Sequence, residues 1–546
     1  MFNSIADFNY KRIINRVDWK LLLFLMLFLN VKIGIKIPAI IIIYLLRFNL
    51  KFGLSFKNSR LPLFYLLIMF IPFINLLISK GYSNTDYLIV FFMGIGFWLL
   101  SLLAIHQVKL SVENNDTEII HRTILVFFIL NALVSFINIG AIMWVTHTFN
   151  PYRYQGESQK YFIGTGDFIK GLTFDNSLTN AVLNAVGVIY FTVRKNAVMT
   201  LICMTVLLLT GSNFFNIAVI VILALLFIFR STKNQKSLII ICLMLLVVFM
   251  GKVSPQNDVY FVKTLHNFFI PPNPQPKQPA VVTRCSNIPT IEDSRRNTAF
   301  KYLDSSKRSQ IIAIPKQTAL LAKMPQTGQG RIFIDTPDIN APQYQSSSDT
   351  TAEQRLLISF IGNHRSNLPL SAQKNIKPGL SGKVISAIQT ILFFKQHPAK
   401  AIIGDGIGNF SSKLAFRATG FGFAGGFPSK HTYISTDFLT NHLDIYLNFF
   451  SRTSGLHSFA NNPNFVYDQL LAEYGLAGLL VFVIFYLGFF ARHIKTLTYG
   501  LPLLLLLMMI FFTDYWFEQL SVVVFFELLL LLNIKETTNP LIVYGS

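Results

Sequence analysis

Ionisable side chains stand directly before one of the long apolar segments of this chain. Arg452 and His457 precede the apolar run, and Glu473 lies about one helical turn inside it. A guanidinium group can bind phosphate through paired hydrogen bonds, and an imidazole can exchange a proton near neutral pH. These residue types indicate phosphate binding with general-base chemistry, and His457 is the first candidate base. The alternative interpretation is a solvated histidine without a catalytic role.

A second group of candidates lies in the glycine-rich residues 401–426. Gly404 and Gly406 follow a short apolar run, and the basic residues Lys413 and Arg417 come next. Successive backbone N–H groups of a glycine-rich loop can bind phosphate. The stretch has neither the lysine spacing of a P-loop nor a dinucleotide-binding strand–helix unit. A tight turn at a membrane surface is therefore the alternative interpretation.

Residues 150–177 form a third candidate, in which Arg153, Lys160 and Lys170 alternate with tyrosines and phenylalanines. Aromatic faces stack on sugars, and basic groups hold diphosphate. This composition indicates a cleft for a phosphorylated sugar. An ordinary solvated loop with interfacial aromatic residues is the alternative.

Acidic and polar residues near the C-terminus complete the candidates. Asp514 and Glu518 are four residues apart, which predicts that they share one helical face. Asn464 and Tyr467 are expected to support the same site. Glu527 lies within an apolar run and is expected to face the interior of a helix bundle, either as a functional group or as a hydrogen bond between helices.

The composition indicates a protein that crosses a membrane many times. Mean hydropathy is +0.49, and only 13% of the residues are charged. The fold class predicted is therefore an all-α polytopic membrane protein with about twelve transmembrane helices. The apolar segments begin near Trp19, Ile37, Pro62, Tyr87, Thr123, Thr179, Ala197, Asn213, Ser237, Gln469, Leu501 and Gln519.

Basic residues in the short loops predict the orientation. Lys51, Lys57 and Arg60 follow the second segment, and basic residues such as Lys109 recur after the other even-numbered segments. The loops after odd-numbered segments are poorer in lysine and arginine. By the positive-inside rule both termini are cytoplasmic, and the loop after the ninth segment faces outward. The basic N-terminus leads into an apolar run without a small-residue cleavage site, which predicts an uncleaved first helix.

Three regions follow from this topology. Residues 1–251 form an N-terminal membrane domain of about nine helices, and residues 469–546 form about three C-terminal helices. Between them lies one large extracytoplasmic loop, residues 252–468, with 23 lysines and arginines against 12 acidic residues. This charge indicates either an acidic surface opposite the loop or an anionic substrate. No compact basic module stands apart from the apolar blocks, so no nucleic-acid partner is expected.

The large loop has two parts. Residues 252–380 are rich in proline, glutamine, serine and asparagine and are expected to be irregular. Residues 381–468 carry the motifs. Ser381 is a candidate N-cap and Pro398 follows the end of an amphipathic helix that is too polar to span and is expected at the membrane surface.

From about residue 176 onward, the chain resembles the O-antigen ligase and O-antigen polymerase superfamily. The resemblance rests on LLLTGSNFFNIAVIVILALLFIF, the large outward loop, IIGDGIGNF and NPNFVYDQLLAEYGLAGLLVFVIFYLGFF. It implies a bacterial inner-membrane glycosyltransferase with a GT-C-like helical fold and a periplasmic loop. Members transfer a glycan from undecaprenyl diphosphate to a hydroxyl group without a nucleotide sugar, and no metal or other cofactor is expected. The acceptor would be the lipid A core of lipopolysaccharide, a second lipid-linked glycan or a protein.

Two departures from the family pattern affect the expected site. The family often has Ser-Arg where this chain has Ser212-Asn213, and His-Asn where this chain has Asn464-Phe465. The resemblance therefore implies that other residues take these roles. His457 and His442 are the candidate bases, with Glu473 as a third catalytic candidate. The expected diphosphate-binding residues are Arg153, Arg417, Arg452 and Lys413.

The leading functional prediction is an O-antigen ligase or polymerase that acts in cell-surface polysaccharide assembly. The alternative class is a polysaccharide or lipid transporter or flippase, for which broken or charged central helices and repeated halves would be typical. A receptor or structural scaffold is a third class, and it would not need arginine and histidine clustered at the membrane face.

Overall fold

The computed structural model describes residues 17–30, 32–49, 63–154, 165–174, 177–254, 381–419, 431, 433–450 and 462–538, and all regular structure in these ranges is helical. The first nine helices are α1 (Trp19–Phe28), α2 (Ile33–Leu46), α3 (Phe64–Ile78), α4 (Thr85–Asn114), α5 (Thr117–Thr146), α6 (Ser177–Val193), α7 (Ala197–Leu209), α8 (Asn213–Phe229) and α9 (Lys233–Val248). Five follow in the predicted outward loop: α10 (Gly382–Gln396), α11 (Lys400–Ile403), α12 (Lys413–Ala418), α13 (Thr436–Asn441) and α14 (Leu443–Phe450). The last five are α15 (Val466–Val481), α16 (Gly488–Ala491), α17 (Gly500–Ile510), α18 (Trp516–Gln519) and α19 (Ser521–Thr538).

A helix lies at each of the predicted apolar segments. Within the described ranges, four helical stretches are long and apolar enough to cross a membrane, and they are Thr85–Asn114, Thr117–Thr146, Lys233–Val253 and Val466–Ala491. Seven further apolar helices are shorter, with 10–17 residues. The described chain is therefore an all-helical protein with the apolar helices of a membrane protein, while twelve spans remain a prediction.

Two lysines at the edges of predicted apolar segments lie inside helices. Lys36 is fully buried in α2, where its Nζ donates to the carbonyl oxygen of Phe28 at 2.6 Å and to Ser521 Oγ at 2.6 Å. Lys109 lies in α4 and pairs with Glu113 at 2.8 Å, one turn further along the same helix. The loop prediction for Lys109 is wrong, because its ammonium group finds a partner one helical turn away and the helix continues past it.

The chain separates into two compact units. The first, here called the membrane unit, comprises Met1–Lys263, Pro398–Ile407 and Asn464–Ser546. The second, here called the loop unit, comprises Thr264–His397 and Gly408–Pro463. The turn that contains Gly404 thus belongs to the membrane unit, as do the two ends of the predicted outward loop.

Aromatic rings form the centre of the membrane unit. The Phe64 ring lies 5.0–5.9 Å, centroid to centroid, from the rings of Trp98, Phe482, Tyr486 and Phe517. These residues come from α3, α4, the π-helical segment Phe482–Leu487 and α18, so the cluster joins the N-terminal and C-terminal helices. Each offset or edge-to-face aromatic contact contributes about 1 kcal/mol of stability beyond the contribution from the apolar area that it buries.

Glu527 lies next to this aromatic centre and faces the bundle interior, as predicted. Its side chain is fully buried, and the Tyr65 hydroxyl donates to its Oε1 at 2.5 Å. The contact joins α3 to α19. It is the interhelical hydrogen bond that was one of the two expectations for this carboxyl group.

Candidate functional site

Three glycines join the GDG turn to a break in α15. Gly404 and Gly406 have φ of +77° and +98°, and Gly475 inside α15 has φ of +69° and ψ of −168°. The Asp405 amide donates to the carbonyl oxygen of Ala472 at 2.9 Å, and the Gly406 amide donates to that of Glu473 at 3.1 Å. We call Gly404, Gly406 and Gly475 the glycine junction.

The turn at residues 404–406 supplies hydrogen-bond donors for two carbonyl groups of α15 that lose their helical donors at the break. In an uninterrupted helix the carbonyl groups of residues 472 and 473 would accept from the amides four residues later. Here the turn supplies the donors instead. A Cβ atom on Gly475 would lie 2.4 Å from the Gly404 nitrogen, and one on Gly404 would lie 2.3 Å from the Glu473 carbonyl carbon. Only glycine fits at either position.

Side chains from α3 and α4 hold this part of the membrane unit. Asn75 on α3 is buried and donates from its Nδ2 to the Gly404 carbonyl oxygen at 2.8 Å. Trp98 on α4 donates to the Tyr474 hydroxyl at 2.6 Å, and the two rings meet edge to face. Glu473 lies between these contacts with no exposed surface. The Glu473 carbonyl group accepts the hydrogen bond from the Gly406 amide. The burial of the Glu473 side chain favours a positioning role over contact with a substrate.

Carboxamides and carboxylates pair across α15 and the segment before α19. The Gln469 Nε2 donates to Glu518 Oε1 at 2.7 Å, and the Gln519 Nε2 donates to Asp514 Oδ2. Asn464 Nδ2 lies 3.4 Å from Asp514 Oδ1. Three predicted supporting residues therefore lie in one buried polar cluster.

Asp514 and Glu518 do not share a helical face. The helix α17 ends at Ile510, and the short helix α18 begins only at Trp516, so Asp514 lies between them. A left-handed Leu520, with φ of +66°, then separates α18 from α19. The prediction from the four-residue spacing is wrong, because it assumes one continuous helix, whereas Asp514 precedes the first residue of α18.

Tyr467 and Arg153, both candidates, bind backbone carbonyl groups. The Tyr467 hydroxyl donates to the carbonyl oxygen of Met508 at 2.9 Å and so joins α15 to α17.

Arg153 is exposed, and its Nη2 donates to the carbonyl oxygen of Lys252 at 2.6 Å at the end of the π-helical turn after α9. The neighbouring Tyr152 donates to the Leu209 carbonyl group, and burial raises the pKa of that phenol. The Arg153 guanidinium group is therefore exposed, and its hydrogen bond to Lys252 fixes its position.

The loop unit presents two basic candidates on one short helix. Lys413 and Arg417 are four residues apart on α12 and are its only half-buried side chains, whereas Leu414, Ala415 and Phe416 are buried. Neither basic group forms an ion pair with a carboxylate among the described residues, and Arg417 Nε is buried without a hydrogen-bond acceptor there. Like charges at this spacing repel each other, so an anion bound between Lys413 and Arg417 would stabilise the pair.

Aromatic packing fixes the position of α12. The Phe416 ring stacks on the Tyr446 ring of α14 at a centroid distance of 4.8 Å and an angle of 10°. The Tyr446 hydroxyl donates to the Ser411 carbonyl oxygen at 2.9 Å, and the Ser412 side chain caps the helix by accepting from the Ala415 amide. These contacts hold α12 against α14.

His442 has a packing partner and no exposed surface. Its Nε2 lies 2.8 Å from Ser386 Oγ on α10, and its ring lies 4.6 Å from the ring of Phe410. A general base must reach the proton that it removes. The burial of His442 therefore favours a role in holding α10 over a role as catalytic base.

Lys160, Arg452 and His457 lie outside the described residues, so their roles stay predictions. Within the ranges that the structure describes, no group of three or more histidine, cysteine, aspartate or glutamate side chains could hold a metal ion. Two residues that the sequence analysis missed, Asn75 and Gln469, carry the contacts around the glycine junction and the polar cluster. Their only sequence signal is a carboxamide within an apolar helix.

Comparison with protein-family models, with curated proteins and with solved structures gave no match. The resemblance to O-antigen ligases and polymerases consequently remains a proposal that rests on the residues of this chain.

Proposed function

We propose that the protein is a membrane glycosyltransferase that moves a glycan from a polyprenyl-diphosphate lipid to an acceptor hydroxyl, as O-antigen ligases and polymerases do. The proposal places it in the bacterial inner membrane, with both termini cytoplasmic and the large loop periplasmic. The resemblance of residues 401–410 and 462–490 to that superfamily is one support. The glycine junction is another, because it brings the two resembling motifs into direct backbone contact.

The observation that carries the proposal is the basic pair Lys413 and Arg417. Among the described residues, the buried Arg417 Nε has no hydrogen-bond acceptor. An unmade hydrogen bond of this kind costs about 1–3 kcal/mol, and a negatively charged oxygen would remove that cost. A diphosphate supplies several such oxygens and suits the planar guanidinium group. Arg153 is the corresponding candidate in the membrane unit, and Arg452 completes the proposed set.

The proposed chemistry is an inverting displacement at the anomeric carbon. The acceptor oxygen forms a new bond to that carbon while the bond between the carbon and the diphosphate oxygen breaks. The polyprenyl diphosphate leaves with the bonding electron pair, and the acceptor proton passes to a base, for which His457 is the candidate. The basic side chains stabilise the charge that develops on the leaving oxygen, and this is an electrostatic contribution to the rate.

The test is sugar transfer by the purified, reconstituted protein from a lipid-diphosphate glycan to candidate acceptors. We expect Arg417→Ala and Lys413→Ala to lower turnover at least about tenfold, since a charge-assisted hydrogen bond contributes roughly 1.5–3 kcal/mol. Lys495→Ala is the matched control, because this exposed lysine follows α16 on the predicted cytoplasmic side. Turnover that is equal in all three variants would remove the phosphate assignment. An arm with EDTA tests whether transfer depends on a metal ion.

A transporter or flippase is the second candidate. The break in α15 at Gly475 and the buried Glu527 favour it, because broken helices and intramembrane carboxylates are common in transporters. The same proteoliposomes separate the two classes. Movement of the lipid-linked glycan between leaflets without formation of a new glycosidic bond would support a flippase and would refute the glycosyltransferase.

A further inference from the structure

The helix α10 in the loop unit buries several polar residues and exposes several apolar ones. Ser386, Gln389 and Thr390 are buried, together with Ile385 and Phe393. In a helix that packs on a water-exposed domain, the opposite distribution is the norm. This distribution favours a partner other than water for the outer face of α10.

The outward residues form one continuous stripe. Val384 is 40% exposed, Ile391 is 50% exposed and Leu392 is 38% exposed, and the half-buried Ile388 lies between them. The spacing of four, seven and eight residues from Val384 places all four side chains on one side of an α-helix.

His442 explains why the polar face points inward. Its Nε2 lies 2.8 Å from Ser386 Oγ, and Phe410 packs both on its ring and on the ring of Phe393, each at a centroid distance of 4.6 Å. These contacts with α10 fix the rotation of the helix about its axis. The apolar stripe is thus presented by the fold and is not a result of local disorder.

The charge of α10 specifies the partner. Lys383 and Lys395 lie near its two ends, and the helix sequence GKVISAIQTILFFKQ contains no acidic residue. Lys395 is exposed and lies one turn beyond the apolar stripe, on the same side of the helix. An apolar face with lysines at its edges is the pattern of helices that lie in the headgroup region of an anionic lipid surface. The chain then passes after only three residues, 397–399, into α11 of the membrane unit.

We propose that α10 is a membrane-surface anchor, with Val384, Ile388, Ile391 and Leu392 inserted among the acyl chains and Lys383 and Lys395 at anionic headgroups. His442 is the positioning residue that holds the helix in this rotation. The anchor does not depend on the glycosyltransferase activity, and it would serve a transporter equally well.

The test measures where these side chains lie when the whole protein is in lipid nanodiscs. The native cysteines Cys203, Cys242 and Cys285 are replaced by serine, and single nitroxide labels are placed through Val384→Cys, Ile391→Cys and Leu392→Cys. Gln396→Cys is the matched control, because this exposed polar residue ends α10. Collision rates with oxygen, which concentrates in the acyl region, and with an aqueous nickel chelate are compared in nanodiscs with and without phosphatidylglycerol.

We expect the ratio of oxygen to nickel collisions to be several-fold higher at 384, 391 and 392 than at 396, and to rise with phosphatidylglycerol content. Equal ratios at all four positions would overturn the proposal. Protection from both reagents would also overturn it, because another protein surface would then cover the stripe. In a background with His442→Ala, loss of the difference between the positions, with an unchanged elution volume of the protein, would support the positioning role.

Discussion

Single residues explain how far the sequence predicts the site. The glycine-rich turn was open to two interpretations, and the structure favours the tight turn, since Gly404 and Gly406 give their backbone groups to α15 and Asn75. The break at Gly475 could not be predicted from hydropathy, because the apolar segment continues well beyond it. Only the approach of a second backbone, more than sixty residues earlier in the chain, explains it.

The geometry of the glycine junction predicts that alanine at position 475 destabilises the protein far more than alanine at a glycine in open surroundings. Gly475→Ala introduces a Cβ 2.4 Å from the Gly404 nitrogen at a positive φ, so we expect at least about 2 kcal/mol of destabilisation. Gly140→Ala is the control, because no atom lies within 4 Å of its Cβ position in α5 and alanine is the better helix former. Thermal unfolding in detergent measures both. Equal unfolding temperatures for the two variants would contradict the contact.

Among the elements, the helices were the easiest to predict and their ends the hardest. Long apolar runs indicated a helix at each expected segment, because a backbone within a bilayer must satisfy its own hydrogen bonds. The ends depend on partners that hydropathy does not include. Lys535 in α19, for example, donates to the carbonyl groups of Val112, Glu113 and Asn115 and so caps α4 from a distant part of the chain.

A polar cluster ties the last helix to α5 and α6. Arg194 Nη1 donates to Glu536 Oε1 at 3.0 Å, and His121 contacts the same carboxylate oxygen. We expect Glu536→Gln to destabilise the protein by about 1–3 kcal/mol, because this partly buried network loses the carboxylate that accepts from Arg194 and contacts His121. Glu118→Gln is the control, since that exposed carboxylate forms a surface pair with Arg122 worth at most about 0.5 kcal/mol.

Unfolding of both variants in increasing denaturant tests this prediction. The midpoint should fall for Glu536→Gln and should stay near that of the parent protein for Glu118→Gln. A common midpoint for the two variants would show that the cluster does not stabilise the attachment of α19.

At the scale of the whole molecule, the sequence predicts a topology on which the enzymatic proposal depends. Charge alternation in the short loops predicts that both termini lie inside and that the large loop lies outside. The candidate bases and basic residues can meet a lipid-linked glycan only if this orientation is correct. Hydropathy and charge carry this information because the bilayer acts on the whole chain, whereas the roles of individual residues depend on local contacts that the sequence does not record.

Labelling of single cysteines tests the orientation. In a chain without its native cysteines, Ser79→Cys, after α3, and Thr496→Cys, after α16, are both exposed conservative substitutions. We expect a membrane-impermeant maleimide added outside to modify position 79 only, and to modify 496 after permeabilisation. Modification of 496 in intact cells would reverse the topology and exclude a periplasmic transfer reaction.

The backbone contact between residues 404–406 and α15 also has a consequence for biosynthesis. The ribosome makes the turn well before α15, so the amide groups of Asp405 and Gly406 have no carbonyl partners when they first emerge. Those partners arrive only when the next hydrophobic segment has been synthesised and inserted. The part of the chain before that point therefore cannot complete this region by itself, and a truncation ahead of α15 leaves an unfinished protein for quality-control proteases.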